Sequence, residues 1–211
     1  MTNIRTIIFD FGNVLLDIDV SRTWGIFKAL LGDEYQAALT QLHSENVFDN
    51  FEMGLLSEAE FLNTLQRASQ RPISQATILD VWNSMLIRQP KHRLDMLLEL
   101  RKSYQVMLLS NTNETHIRWV RAHLRRDLGI TDFEATYFDK VYYSHDVLLR
   151  KPNADIYQFV LRDANILPEQ TLFIDDNADN IATAALLGIQ TIHHNPQNDI
   201  TVVLRESGYL M

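Results

Sequence analysis

The chain has no cysteine among its 211 residues. A disulfide framework and any thiolate metal site are therefore excluded, and the composition suits a reducing compartment. Basic residues are the minority, 19 Lys and Arg against 27 Asp and Glu, for a net charge of −8. No Lys/Arg cluster of the kind that follows a phosphate backbone interrupts that balance, so nucleic acid is not an expected partner. Long apolar runs are also missing. Near the N-terminus Ile7-Ile8-Phe9 is cut short by Asp10 before anything like a secretory leader develops. Nothing approaches the roughly 20 apolar residues that cross a bilayer. There is no internal repeat and no low-complexity segment. These absences leave the expectation of a soluble, cytoplasmic protein with no membrane partner.

The residues present, 46% hydrophobic and 22% charged, suffice for a sizeable core in one domain with a small insertion. Short, nearly unbroken apolar runs at 5–9, 105–109, 141–143, 171–174 and 190–193 read as strands covered on both faces. Helical spacing fills the gaps at 91–102, 155–162 and 178–187, the last ending at Gly188. This alternation predicts an α/β fold, a doubly wound parallel sheet of Rossmann-like type with helices on both faces. The stretch 18–87 breaks the rhythm with four helical patterns, at 21–31, 34–46, 58–68 and 74–86, where Ser57 and Glu60 have capping-box spacing. The expected organisation is a core of 1–17 and 88–211 with a four-helix cap at 18–87. In open α/β sheets ligands bind beyond the carboxyl ends of the strands, so such an insertion is placed to act as a lid.

Polar residues gather where the predicted strands end. Asp10 follows the first, Ser110-Asn111-Thr112-Asn113 the second, Lys151-Pro152 comes after the third, and Asp175-Asp176-Asn177 follows the fourth. Two or three carboxylates suit a hard cation such as Mg²⁺. A serine hydroxyl and backbone N–H groups suit phosphate oxygens, and a lysine supplies compensating charge. A carboxylate so placed is also able to attack phosphorus.

The segments "FDFGNVLLDID", "LLSNTN", "RKPNADIY" and "FIDDNADNI" together resemble the haloacid dehalogenase-like hydrolase superfamily with a helical cap of the first type. They are most similar to the branch that includes bacterial α-D-glucose-1-phosphate phosphatases, and the likeness runs over essentially the whole chain. The resemblance implies a Mg²⁺-dependent phosphatase acting on a small phosphorylated metabolite, most readily a sugar phosphate. It implies that Asp10 is the nucleophile, forming an aspartyl-phosphate that water hydrolyses. Ser110, Asn111 and Thr112 would bind the phosphoryl group, and Lys151 would hold Asp10 and a phosphate oxygen. Asp10, Asp175, Asp176 and the backbone carbonyl of Gly12 would hold the metal. A monomer and a weak homodimer fit equally well.

Gly12 departs from that pattern, since most phosphatases of the superfamily carry an acid–base aspartate two residues after the nucleophile. Such a group typically contributes about 10² to 10⁴ in rate. Asp17 and Asp19 are candidate substitutes, with capping of a helix that begins near Ser21 as their simpler role. A 2-haloacid dehalogenase also dispenses with this acid, and a catalytically inactive binding protein is a third reading. Against the former, adjacent carboxylates at 175 and 176 beside Asp10 would repel without a cation; against the latter, keeping all that charge without function would cost stability. Among further residues, Asp179 and Asn180 lie in the helix opening after Asp176, where Asp179 reads as a neighbour of the metal or as a partner of the helix dipole, and His116 reads as a solvent-facing helix residue. Ser144 and His145 read as structural, Phe51-Glu52-Met53-Gly54 as substrate contacts and Trp82 as cap core. His193-His194 reads as lying away from the motifs.

Overall fold

The computed structural model describes residues 4–210. Strand β1 (Thr6–Phe9) leads through a tight turn to a two-residue strand β2 (Asp17–Ile18) and five helices: α1 (Val20–Leu31), α2 (Tyr35–Ser44), α3 (Val47–Glu52), α4 (Glu58–Ser69) and α5 (Gln75–Asn83). The chain returns through β3 (Leu86–Arg88), which pairs antiparallel with β2, so both crossings between helices and sheet are made by one small ribbon. After it come α6 (Lys91–Leu100), β4 (Gln105–Ser110), α7 (Glu114–Leu128), α8 (Phe133–Tyr137), β5 (Lys140–Tyr143), α9 (Ser144–Val147) and α10 (Ala154–Ala164). The last elements are β6 (Thr171–Asp175), α11 (Ala178–Leu186), β7 (Gln190–His193) and α12 (Ile200–Glu206).

Five strands form one parallel sheet in the order β5-β4-β1-β6-β7. The doubly wound α/β fold expected from the alternation is therefore present. Successive side chains point to opposite faces of a strand, and the packing divides accordingly. Ile7, Phe9, Val106, Leu108, Leu172 and Ile174 pack on one face. Ile8, Met107, Leu109 and Phe173 pack on the other. A strand buried on both sides needs an apolar residue at every position, which is why these runs lack alternation.

Outside the insertion, α8, α9 and α12 lie where the sequence reading named no helix, and within it two details differ. A short helix, α3, occupies Val47–Glu52, where no separate element was expected. Its Phe48 and Phe51 stack on Trp82 and Phe61 respectively, at 5.8 and 4.0 Å between ring centres, so tertiary packing rather than length sustains six residues of helix. The last helix of the insertion stops at Asn83 instead of running to 86, because Leu86 is drawn into β3 opposite Ile18. The capping box at Ser57 and Glu60 forms as the spacing predicted.

Candidate active site

In the sheet, Phe9 lies level with Leu108 on one side and Ile174 on the other. Asp10, Ser110 and Asp175 therefore emerge at the same edge, beside the central strand where the winding reverses, the place where such sheets bind ligands. Burial of the strands carries these polar groups inward with them. Asp10 is 8% exposed, Ser110 3%, Lys151 1% and Asp175 fully enclosed.

Lys151 joins the two carboxylates. Its Nζ donates to Asp10 Oδ1 and to Asp175 Oδ2, each at 2.6 Å, and sits 5.3 Å from the centre of the Phe173 ring. Burial alone would strip its proton, but Asp10 and Asp175 reverse that and raise the ammonium's pKa. For Asp10, burial and the nearby Asp175 outweigh the pull of Lys151 and push the carboxyl up to about 7. One ammonium does not neutralise two carboxylates, and a third stands close: Asp10, Asp175 and Asp176 present oxygens within 4.8 Å of one another. This all-oxygen donor set fits a hard divalent cation.

Each carboxylate is held in place. Asn180 donates its amide to both oxygens of Asp175, at 3.0 and 2.9 Å, and the Asn177 N–H donates to Oδ1 at 2.8 Å. Asn177 also caps α11 by accepting from the Asp179 and Asn180 N–H groups. Asp176 accepts from Asn13 Nδ2 at 3.0 Å, across 163 residues of sequence. Asn13 takes a left-handed backbone, φ 58°, in the turn after β1. Neither the Asn13 contact nor the grip of Asn180 on Asp175 is readable from sequence; the only signal was an asparagine beside a glycine in a turn.

The loop after β4 behaves differently from the expectation drawn on residue types. Asn111 pairs with the backbone of Lys151 in both directions, Nδ2 donating to the carbonyl at 2.8 Å and Oδ1 accepting from the N–H at 2.9 Å. Its side chain thus fixes the lysine, whose peptide bond to Pro152 is cis. The Thr112 N–H is likewise engaged, donating to Ser144 Oγ at 2.9 Å. Asn113 caps α7 by accepting from the His116 N–H.

Over this loop lies a cavity of about 240 Å³ between sheet and insertion. Its floor is Gly12, Ser110, Asn111 and Thr112, and its wall includes Ile18, Trp24, Phe48, Trp82 and Leu86. Glu52 reaches it from α3. The Glu52 carboxylate accepts from Arg150 Nη2 at 3.0 Å; burial raises its pKa against that pull. His116 also faces the cavity and is not solvent-facing as expected: it is 8% exposed and stacked on Trp82 at 5.2 Å. Burial pulls its pKa down to about 4, so the ring is neutral. Trp82 is core, 4% exposed, and at the same time wall.

Other residues fall elsewhere. Asp17 pairs with Arg88 and Arg93, each at 2.8 Å, and Asp19 caps α1 by accepting from the Arg22 N–H. Neither lines the cavity. His193, expected away from the motifs, is beside them because β7 pairs with β6 and sets it opposite Asp175; its Nε2 lies 3.0 Å from the Asp176 carbonyl.

The family model of the haloacid dehalogenase-like hydrolases matches residues 4–188. The chain belongs to that family. This haloacid dehalogenase-like hydrolase is 32% identical over 209 residues to the D-ribitol-5-phosphate phosphatase of Bacteroides thetaiotaomicron, covering 95% of its own length and 98% of the relative's. A crystal structure of a family enzyme from the same organism, in complex with magnesium and inorganic phosphate, is similar at a TM-score of 0.84 and 33% identity, over 96% of this chain and 100% of that one. A sesquiterpene phosphatase of Aspergillus oryzae is 25% identical over 195 residues, 91% of this chain and 90% of that protein. Among the described residues no helix is long and apolar enough to cross a membrane.

Proposed function

We propose that this hydrolase cleaves the phosphomonoester of a small metabolite through an aspartyl-phosphate on Asp10, with Mg²⁺ held by Asp10, Asp175, Asp176 and the Gly12 carbonyl. The observation that carries the reading is the cluster of three carboxylates, two of them bound to one buried ammonium. Such a cluster costs stability, and buried charge kept at that cost marks a functional site. In this reading a carboxylate oxygen of Asp10 bonds to phosphorus as the bond to the leaving oxygen breaks. Water then attacks phosphorus, releasing inorganic phosphate and freeing Asp10. The Ser110 hydroxyl and the Asn111 backbone N–H hold the phosphoryl oxygens, while Lys151 offsets their charge as the loose transition state forms. Mg²⁺, when bound, cancels further repulsion between carboxylate and phosphate. With glycine at 12, the proton for the leaving oxygen comes from water or from the substrate itself.

Two carboxylates at 175 and 176 favour this over attack on a carbon–halogen bond, which needs no cation. A sugar phosphate, the substrate expected from the sequence, has the D-ribitol-5-phosphate phosphatase on its side; the apolar wall of the cavity counts against it. The test is phosphate release from acetyl phosphate and alkyl phosphates by wild type and Asp10→Asn, with Mg²⁺ and with EDTA, beside halide release from 2-chloropropionate. Turnover that needs both Mg²⁺ and Asp10 is the expected result. Metal-independent halide release would overturn the proposal.

A further inference from the structure

The cavity over the phosphate loop has a polar floor and a wall that is mostly apolar. Its floor is formed by Gly12 and the 110–112 loop, and its wall by Ile18, Val20, Trp24, Phe48, Trp82 and Leu86. The three aromatic rings make a continuous surface, Phe48 lying 5.3 Å from Trp24 and 5.8 Å from Trp82. Two of the polar side chains on this wall are tied to the protein, while the buried Trp82 Nε1–H has no partner among the described residues. Glu52 is held through one carboxylate oxygen, Oε2, by Arg150 at 3.0 Å. His116 accepts from Asn113 through Nδ1 at 3.2 Å and turns Nε2 to the Trp82 carbonyl at 3.4 Å. His43 is exposed at the mouth, against Phe48.

A leaving group rich in hydroxyls would surrender its water here and find few partners in exchange, whereas a hydrocarbon would gain by displacing water from apolar wall. Position 12 fits the same picture, since Ile18 projects toward the place an acidic side chain would take there. From this division of the cavity we infer that the ester cleaved carries an apolar leaving group: the monophosphate of a hydrocarbon-like alcohol rather than of a polyol. The inference rests on the proposed phosphatase reading and specifies its substrate.

Its test compares two esters of primary alcohols, n-hexyl phosphate and ribitol 5-phosphate. The neighbouring hydroxyl makes ribitol the slightly better leaving group, so a preference for the hexyl ester is set by the cavity. With Mg²⁺ present, kcat/KM is expected to be at least about tenfold higher for the hexyl ester, as a few methylenes in an apolar pocket provide. Val20→Asp, which places a carboxylate on the wall at the first turn of α1 where an acid suits the helix, is expected to reduce that ratio about tenfold through KM, with thermal unfolding recorded to confirm the fold. A ratio at or below one, with turnover still dependent on Mg²⁺ and Asp10, overturns the apolar leaving group and leaves the phosphatase standing. No Asp10-dependent turnover of either ester or of acetyl phosphate overturns the phosphatase, and the substrate inference with it.

Discussion

Ile18 stands where a side chain at Gly12 would have to go: its Cδ1 is 2.9 Å from the position of a β-carbon on that glycine, while its Cγ1 is 3.7 Å away. The missing acid and the apolar wall are thus two sides of one arrangement, a β2 side chain packed over the turn that follows the nucleophile. Restoring an acid requires the isoleucine to give way.

Gly12→Asp alone requires Ile18 to turn its Cδ1 aside, so its gain is expected to be smaller than in a variant that lacks that methyl. Gly12→Asp with Ile18→Val removes the conflicting Cδ1 at a stability cost of roughly 0.5–1.5 kcal/mol. The double variant is expected to outpace the single one on alkyl phosphates by about 10² or more, the contribution of a positioned general acid. Acetyl phosphate, whose leaving group needs no acid, should show no such gain. Equal rates for the two variants on alkyl esters would refute the steric account.

Lys151 is the only cation touching Asp10 and Asp175 among the described residues. Lys151→Met keeps most of the volume but leaves two buried carboxylates facing each other. Removal of one partner from a buried ion pair costs about 3–5 kcal/mol. Urea unfolding of metal-free protein should show a loss of that order. Asp10→Asn combined with Lys151→Met should be less destabilised than the sum of the singles, since the repulsion is then gone. Strict additivity would mean that the three groups are not coupled.

The strands were legible because burial on both faces forces unbroken apolar runs, and Asp10, Ser110, Lys151 and Asp175 because they interrupt such runs or follow them. Contacts made across the fold were not. Asn13 and Asp176 are neighbours only once β1 and β6 pair, and His193 approaches Asp176 only once β7 joins β6. His116 shows the same limit: α7 alone gives it no reason to be buried, and it is α5 that covers it with Trp82. The short α3 lies between two stronger helical patterns, and its identity comes from stacking of Phe48 and Phe51 rather than from local propensity.

That burial makes His116 a source of acid sensitivity. Its pKa falls from 6.5 to about 4 in the folded protein. As pH drops through 6.5 the unfolded chain takes up a proton that the folded chain refuses until near 4. The stability present above 6.5 therefore drains away between those limits, by up to about 3 kcal/mol. His116→Phe cannot take up the proton and retains a ring against Trp82. The difference in unfolding free energy between wild type and variant, measured in urea at pH 7 and pH 5, should shift toward the variant on acidification. A pH-independent difference would show that the imidazole is not held neutral.

Gly54 sets the distance between the helical insertion and the sheet. Its φ is +68°, and a β-carbon there would lie 2.3 Å from the His145 carbonyl oxygen, a backbone atom without freedom to swing aside. The same junction is tied by Arg150 to Asp49 and Glu52, at 2.8 and 3.0 Å, and by Ser144 Oγ, which lies 2.5 Å from the Glu52 carbonyl. Gly54→Ala must therefore strain the left-handed backbone, at about 1–3 kcal/mol, and in addition push α3 away from the end of β5. Gly129→Ala is the control, since Gly129 has φ +69° with nothing within 4 Å of its β-carbon position and reports the backbone cost alone. Gly54→Ala should be the more destabilising of the two in urea, and it should raise KM, because Glu52 and Phe48 belong to the displaced helix and line the cavity. Equal destabilisation with an unchanged KM would mean that the junction yields without moving the cavity wall.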